Sequence, residues 1–289
     1  MARVKIIVDN RFDGKSISKL LEYFHLGKEK MKKINFILNG INVKKEEILK
    51  INDILLVEYQ DEIDFIPEDK KLDILFEDDN ILIVDKPIGM LVHPDKKDKL
   101  GTLVNVVSNY YHKTGQNISV KYLHRIDMDT SGIVVFAKDI LTASKLGFEI
   151  SNHTFTRRYL CIASGRFDSD FGVYDYPIAE NRYIANKKRV SPTGKEAITT
   201  YKIIKRLRKN LNVCLVELKT GRTHQIRVHF SYVGHPLVGD KLYNGNTNIL
   251  KRQALHSYEV DFIHPIKNER VYVKCDVPFD MKKIIKEYE

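Results

Sequence analysis

The stretch that most limits the fold of this chain runs from Val120 to Ala137. A polar loop, His124-Arg125-Ile126-Asp127-Met128-Asp129-Thr130-Ser131-Gly132, sits between two apolar runs, Val120-Lys121-Tyr122-Leu123 and Ile133-Val134-Val135-Phe136-Ala137. The second run is β-branched and apolar, with the length of a buried strand. Thr130, Ser131 and Gly132 suit the loop's end, because short hydroxyl side chains bond nearby backbone and glycine permits a tight turn. A loop held by core strands on both sides is a good place to fix a carboxylate. On local composition alone, an ordinary Asp-rich turn between strands is the simpler reading.

The rest of the chain is mostly strands joined by hairpins, with few helices. Ile17, Leu20, Leu21 and Phe24 form a helical stripe, with Ser16 as cap and Gly27 as end. Lys28 to Lys33 allows a short second helix. Phe36-Ile37-Leu38 and Ile41-Asn42-Val43 flank Asn39-Gly40, a two-residue hairpin signal, and Ile54-Leu55-Leu56-Val57 follows as a strand. Gln60 to Lys71 is acidic and aperiodic, as expected of a mobile linker. Beyond it, Leu72–Phe76 and Ile81–Val84 form a hairpin about Asp78-Asp79-Asn80. Asp139 can cap a helix through Leu141, Ala143, Leu146 and Ile150, and Thr223 one through Ile226, Phe230 and Val233. Phe155–Ala163, Ala197–Ile204 and Val213–Leu218 alternate as strands. The pattern predicts an α+β protein with a largely antiparallel sheet, a small unit over residues 1–66 including the linker, and a large one over 67–289.

Charge narrows the partner. The 48 Lys and Arg against 38 Asp and Glu leave +10, which favours RNA, DNA or an acidic membrane surface, although a lysine-rich solvated surface gives the same count. Cys161, Cys214 and Cys275 are odd in number, far apart and without a C-x-x-C, which argues against a disulfide scaffold or zinc site and for a reducing compartment. The start, Met1-Ala2-Arg3-Val4-Lys5, has no signal-like apolar core, and no run approaches membrane-spanning length, so a soluble cytoplasmic protein is expected. His224 and His229 are five apart, which joins them on one face of neither helix nor strand, so no metal is assigned to them.

Several motifs agree in order. His124-Arg125-Ile126-Asp127-x-x-Thr130-Ser131-Gly132 resembles the signature loop of the RluA family of RNA pseudouridine synthases, with Ile126 in place of the usual Leu. Asp85-Lys86-Pro87-x-Gly89-x-x-Val92-His93-Pro94 is similar to the family's N-K-P-x-G-x-x-V-H-P, with Asp85 for Asn. Arg157-x-Tyr159-x-Cys161 is similar to K-x-Y-x-A, and Gly221-Arg222-Thr223-His224-Gln225-Ile226-Arg227-x-His229 matches without departure. The resemblance extends over nearly all of residues 72–281. Residues 12–59 look like an S4 RNA-binding domain, in a looser match: Asn52-Asp53 stands where Gly-Asp is common, and the first helix lacks Arg-Leu-Asp.

The resemblance implies that Asp127 is the catalytic aspartate, acting on the ribose or base, with Arg227 as its cationic partner. It implies that Tyr159 stacks on the uracil, with Ile226 or Leu255 on the opposite face, and that Arg125 grips a phosphate or fills the gap left by a flipped base. Arg222 joins the substrate-binding set. Lys28, Lys30, Lys32 and Lys33, and Lys188 and Arg189 in the basic Asn181–Lys195 segment, are candidate phosphate contacts, though each also reads as a solvated surface charge. His93 is read as a loop residue without chemistry. No metal or organic cofactor is required, and a monomer acting on ribosomal RNA of the large subunit is expected, with tRNA as second choice. A lone carboxylate suits the reaction because departing uracil spreads its charge over two carbonyls, unlike sugar hydrolysis with its paired carboxylates. A non-catalytic RNA-binding assembly factor and a base-releasing RNA glycosidase are the alternatives.

Overall fold

The computed structural model describes residues 1–31, 33–63, 65–94 and 100–289. Its first sheet has four strands in the order Ala2–Ile7, Ile54–Tyr59, Ile34–Leu38, Ile41–Val43. Asn39 and Gly40 both take positive φ, 51° and 86°, as a hairpin turn that follows the strand twist requires. The Ala2–Ile7 strand was not anticipated. Its alternation is plain in hindsight: Ala2, Val4 and Ile6 are buried while Arg3, Lys5 and Ile7 face out. Ser16 caps the Ile17–Tyr23 helix by accepting from the Lys19 amide. That helix stops at Phe24, before Gly27, and His25 makes the turn at φ 52°.

The second sheet has ten strands. Its main path runs Phe171–Asp175, Ile198–Leu207, Leu211–Leu218, Thr156–Ser164, Leu255–Ile263, Ser131–Ala137, Ile81–Lys86, Asp73–Glu77. Arg270–Lys274 pairs with Leu255–Ile263, and Lys121–Tyr122 with Ser131–Ala137. Pairing is antiparallel except where Leu255–Ile263 meets Ser131–Ala137, with Ser257 opposite Gly132. This is the largely antiparallel α+β architecture read from the pattern, made mixed by that one parallel junction, as the family resemblance implies. At the parallel junction the backbones nearly touch. Gly132 has φ +105°, and a Cβ there would lie 2.1 Å from the Ser257 carbonyl oxygen.

Helices cover the large sheet. Asp139 caps Ile140–Ser151 by accepting from the Thr142 amide at 2.8 Å. Two helices went unread in the sequence: Leu103–Lys113, which buries Leu103, Val104, Val107 and Tyr111, and Phe279–Glu287. In the Gln225–Tyr232 helix the cap position is His224, not Thr223, and no side chain caps it. The reason is local. His224 is left-handed, and the Gln225 side chain takes the Arg222 amide at 2.9 Å instead. Among the described residues no helix is long and apolar enough to cross a membrane, and all three cysteines are buried and free.

The acidic segment is not a loose tether. Asp61 accepts from the Ser119 amide, the Ser119 hydroxyl and the Lys121 ammonium at 2.7–2.9 Å. Ser108 donates to the Phe65 carbonyl and Asn105 to that of Ile66, both at 2.9 Å. The small sheet is also docked on the large unit. Leu141 is wholly buried in the small unit's core, His25 stacks on Phe148 at 3.4 Å, and Arg11 donates to the Pro265 and Ile266 carbonyls.

Candidate active site

Asp127 stands in the loop that opens the Ser131–Ala137 strand, and the loop is held from several sides. Thr130 donates its amide back to the Asp127 carbonyl at 3.0 Å. Lys86, fully buried, donates to the carbonyls of Pro87, Met90 and Met128 at 2.7–2.9 Å. Burial pushes its amine down to about 7, against the pull of Asp129 and Asp127. From the segment just before the Leu255–Ile263 strand, Arg252 reaches the Asp129 carbonyl and Gln253 the Thr130 hydroxyl, both at 3.2 Å. A loop bonded this way presents its carboxylate in a fixed place.

Arg227 comes to Asp127 from the second motif's helix. Its Nη1 donates to Asp127 Oδ2 at 2.8 Å, while Nε and Nη2 donate to the two oxygens of Asp240 at 2.7 and 2.9 Å. The Asp240 side chain is completely buried, that of Arg227 is 9% exposed and that of Asp127 24%. A planar guanidinium can grip Asp240 with a two-pronged fork and still reach Asp127 with its remaining nitrogen, a geometry that an ammonium does not offer. Burial works against the Arg227 charge, but Asp240 and then Asp127 outweigh it and raise the guanidinium above its ordinary value. Tyr243 is nearby, with the Arg227 guanidinium over its ring at 5.1 Å.

A cleft of about 960 Å³ opens over this group. Arg125, Asp127, Tyr159, Arg222, Ile226, Arg227 and Leu255 all line it, so the structure brings together the residues that the motifs nominate for catalysis and substrate. Tyr159, Ile226 and Leu255 are buried, and Arg125 and Arg222 exposed. Burial raises the Tyr159 phenol and keeps its proton in place. Arg157, on the same face of the strand as Tyr159, is buried without an acidic partner among the described residues, and its Nε has no hydrogen bond. His93 touches the rings of Phe65 and Tyr122 at the cleft's edge.

The other nominated cations are not among the side chains that line the cleft, although the Lys188 amide reaches Tyr243 at its edge. Lys30 and Lys33 are exposed on the small unit, while Lys32 and the side chain of Lys28 lie outside the described residues. Lys188 and Arg189 sit on a separate hairpin of Ile178–Glu180 and Lys188–Val190. The Lys188 ammonium is paired with Glu180 at 2.5 Å, whereas Arg189 is exposed with no acidic partner among the described residues. His224 and His229 are not neighbours on one ion: His224 Nε2 is 3.8 Å from Asp127, and His229 bonds Thr199 and the Tyr176 carbonyl. Sequence reasoning missed Asp240, Tyr243, Lys86, Arg252 and Gln253. For Asp240 the signal was its place in Gly239-Asp240, where the family resemblance continues, and for Lys86 its place in Asp85-Lys86-Pro87; Tyr243, Arg252 and Gln253 carried none.

Comparison with known proteins agrees with this geometry. Residues 80–232 match the family model for RNA pseudouridylate synthase. The chain is 39% identical over 253 residues to "Uncharacterized RNA pseudouridine synthase YhcT" of Bacillus subtilis (strain 168), covering 87% of this chain and 82% of that protein. It is 34% identical over 265 residues to "Ribosomal large subunit pseudouridine synthase D" of Pasteurella multocida (strain Pm70), covering 86% and 81%. In fold it is similar to "Human RNA Pseudouridylate Synthase Domain Containing 4" (TM-score 0.60, 22% identity, 73% of this chain and 90% of that one). The chain belongs to the RNA pseudouridylate synthase family. Within it, the likeness is to RluA-type enzymes, and the protein is an RNA pseudouridine synthase.

Proposed function

We propose that this enzyme converts uridines of large-subunit ribosomal RNA to pseudouridine, with Asp127 as the catalytic aspartate. The observation that carries the reading is the Asp127–Arg227 contact at 2.8 Å, anchored from behind by Asp240 and facing a cleft that Tyr159 lines. The reaction breaks the bond from ribose C1′ to uracil N1 and joins C1′ to C5. The C5 proton leaves and N1 gains one, so atoms balance without a co-reactant. Asp127 serves as nucleophile at C1′ or as base at the sugar; both routes use an ionised carboxylate. Tyr159 stacks on the uracil, Ile226 and Leu255 supply the apolar wall, and Arg125 contacts the backbone or fills the gap left by the flipped base.

Arg157, buried with no acidic partner among the described residues, supports an anionic substrate, because a desolvated cation gains most from a charge brought to it. The ribosomal choice follows the relatives named for the large ribosomal subunit, with tRNA as the second reading. Residues 1–66 act in this reading as an S4-like RNA-binding unit beside a catalytic unit over 67–289, in a soluble cytoplasmic monomer. Lysines 28, 30, 32 and 33, with Lys188, Arg189 and Arg222, meet phosphates. The test uses RNA tritiated at uracil C5. Ribosomal RNA should release tritium to water and the Asp127→Asn protein should release none while still binding RNA. Full release by Asp127→Asn overturns the assignment, and release from tRNA alone replaces the substrate.

A further inference from the structure

We infer that Tyr243 is a positioning residue of this reaction, locking His224 as the Nε2–H tautomer and so aiming an uncharged N–H donor at Asp127. The inference rests on Asp127 being the catalytic carboxylate. It begins with a count of protons at one oxygen. The Lys188 backbone N–H donates to the Tyr243 hydroxyl oxygen at 2.8 Å. That hydroxyl has one proton of its own, and His224 Nδ1 lies 3.0 Å away. Among the described residues no other acceptor is in reach of it, so the proton goes to Nδ1. A neutral imidazole that accepts at Nδ1 carries its own proton at Nε2. His224 Nε2 is the nitrogen that faces Asp127 Oδ2, at 3.8 Å.

The backbone supports a purpose for this placement. His224 has φ 59°, the left-handed region that few non-glycine residues adopt, Asn, Asp and His most often among them, and a residue held there costs on the order of 1 kcal/mol. That conformation turns the imidazole into the cleft rather than into a helix cap. Arg227 Nη1 bonds the carboxylate oxygen Oδ2 at 2.8 Å, His224 Nε2 faces the same oxygen from 3.8 Å, too far for a hydrogen bond in this conformation, and among the described residues no hydrogen bond reaches Oδ1. The carboxylate is thus steadied along one edge, and Oδ1 is left for the ribose.

The donor's neutrality matters. One guanidinium shared by Asp127 and Asp240 leaves the trio with a single net negative charge. A second cation beside Asp127 would cancel that charge and weaken its action on the sugar. Burial lowers the His224 imidazole, against the pull of Asp127, which favours the same uncharged form. Tyr243 also connects this edge to the basic hairpin. The amide it accepts from belongs to Lys188, and the Lys187 ammonium lies over its ring at 5.4 Å.

Long-range proton–nitrogen correlation on full-length protein labelled with ¹⁵N-histidine reads the tautomer directly, with His224→Gln assigning the resonances. Nε2 of His224 should carry the proton in the wild type. Tyr243→Phe keeps the ring over Arg227 and removes the hydroxyl, so the tautomer should become mixed. Its single-turnover rate on tritiated RNA should fall roughly tenfold with RNA affinity unchanged. Tyr243→Phe added to His224→Gln should slow the reaction no further. Protonation of wild-type His224 at Nδ1, wild-type turnover in Tyr243→Phe, or losses that multiply in the double variant would each overturn the inference. Asp127→Asn run alongside separates the two readings: its inactivity together with a fully active Tyr243→Phe removes this inference alone.

Discussion

Replacing Asp240 with Asn probes the site from its buried side. Asp240 touches no substrate in the proposed reaction, yet its two oxygens take the Arg227 Nε and Nη2 protons at 2.7 and 2.9 Å in full burial. Hydrogen bonds to charged groups contribute about 1.5–3 kcal/mol each, and breaking a buried ion pair by removing one partner costs about 3–5 kcal/mol. Asparagine keeps one acceptor and turns an N–H₂ toward the guanidinium, donor against donor. Arg227 keeps its bond to Asp127, so the loss belongs at the lower end, about 3 kcal/mol. The guanidinium, freed on one side, shifts toward Asp127, and a misplacement of about 1 Å at reacting groups slows chemistry on the order of 10²-fold. The chain has no Trp, so urea unfolding is followed by tyrosine emission or circular dichroism, and turnover by tritium release. Asp240→Asn should unfold at lower urea and turn over about a hundredfold more slowly, with RNA binding nearly intact. An unchanged midpoint with a rate within about twofold of wild type would refute the view that Asp240 holds Arg227 in place.

Three further outcomes are expected. Gly132→Ala puts a Cβ against the Ser257 carbonyl in a left-handed backbone and should lower the melting temperature sharply; an unchanged melt would mean that the parallel junction can open without loss. Burial first, and Arg252 second, hold His256 down at about 4. Since an unfolded histidine titrates near 6.5, the unfolded chain binds more protons between those values, so stability falls on acidification through that window by about 3 kcal/mol. Urea midpoints at about pH 7 and about pH 5 should differ less in His256→Gln than in wild type, and equal differences would count against the assignment. Arg189→Ala should reduce the slope of log Kd against log salt by roughly 0.7, the value for one single-strand phosphate contact. Lys188→Ala should reduce it less, because its ammonium already holds Glu180.

What could be read in the sequence was what short spacing encodes. Asp127, Tyr159 and Arg227 each lie in a contiguous motif, and the cleft gathers all three. The Asn39-Gly40 hairpin and the Asp139 cap were legible because the determinants lie within a few residues of their effect. The Asp85-Lys86-Pro87 motif marks Lys86 but not its burial, because the Met128 carbonyl it holds lies 42 residues further along the chain. Nothing in the sequence singles out Tyr243; its importance comes from three partners, Lys188, His224 and Arg227, that only folding brings to it. The acidic linker misled for a related reason. Negative charge suggests solvation, but Asp61 finds Ser119 and Lys121, 58 and 60 residues further along the chain.

The parallel pairing of Leu255–Ile263 with Ser131–Ala137 has a consequence for when this enzyme becomes active. The Arg252 and Gln253 anchors of the catalytic loop arrive 123 residues after the backbone and side chain they hold. Such distant contacts form late, after the loop-closure entropy has been overcome. A chain still emerging from the ribosome can already possess Asp127, Tyr159 and Arg227 and yet lack the strand that steadies them. On the proposed reading, competence comes only with the late segment in place, and a truncation just short of Arg252 should leave a protein that carries Asp127, Tyr159 and Arg227 but releases no tritium.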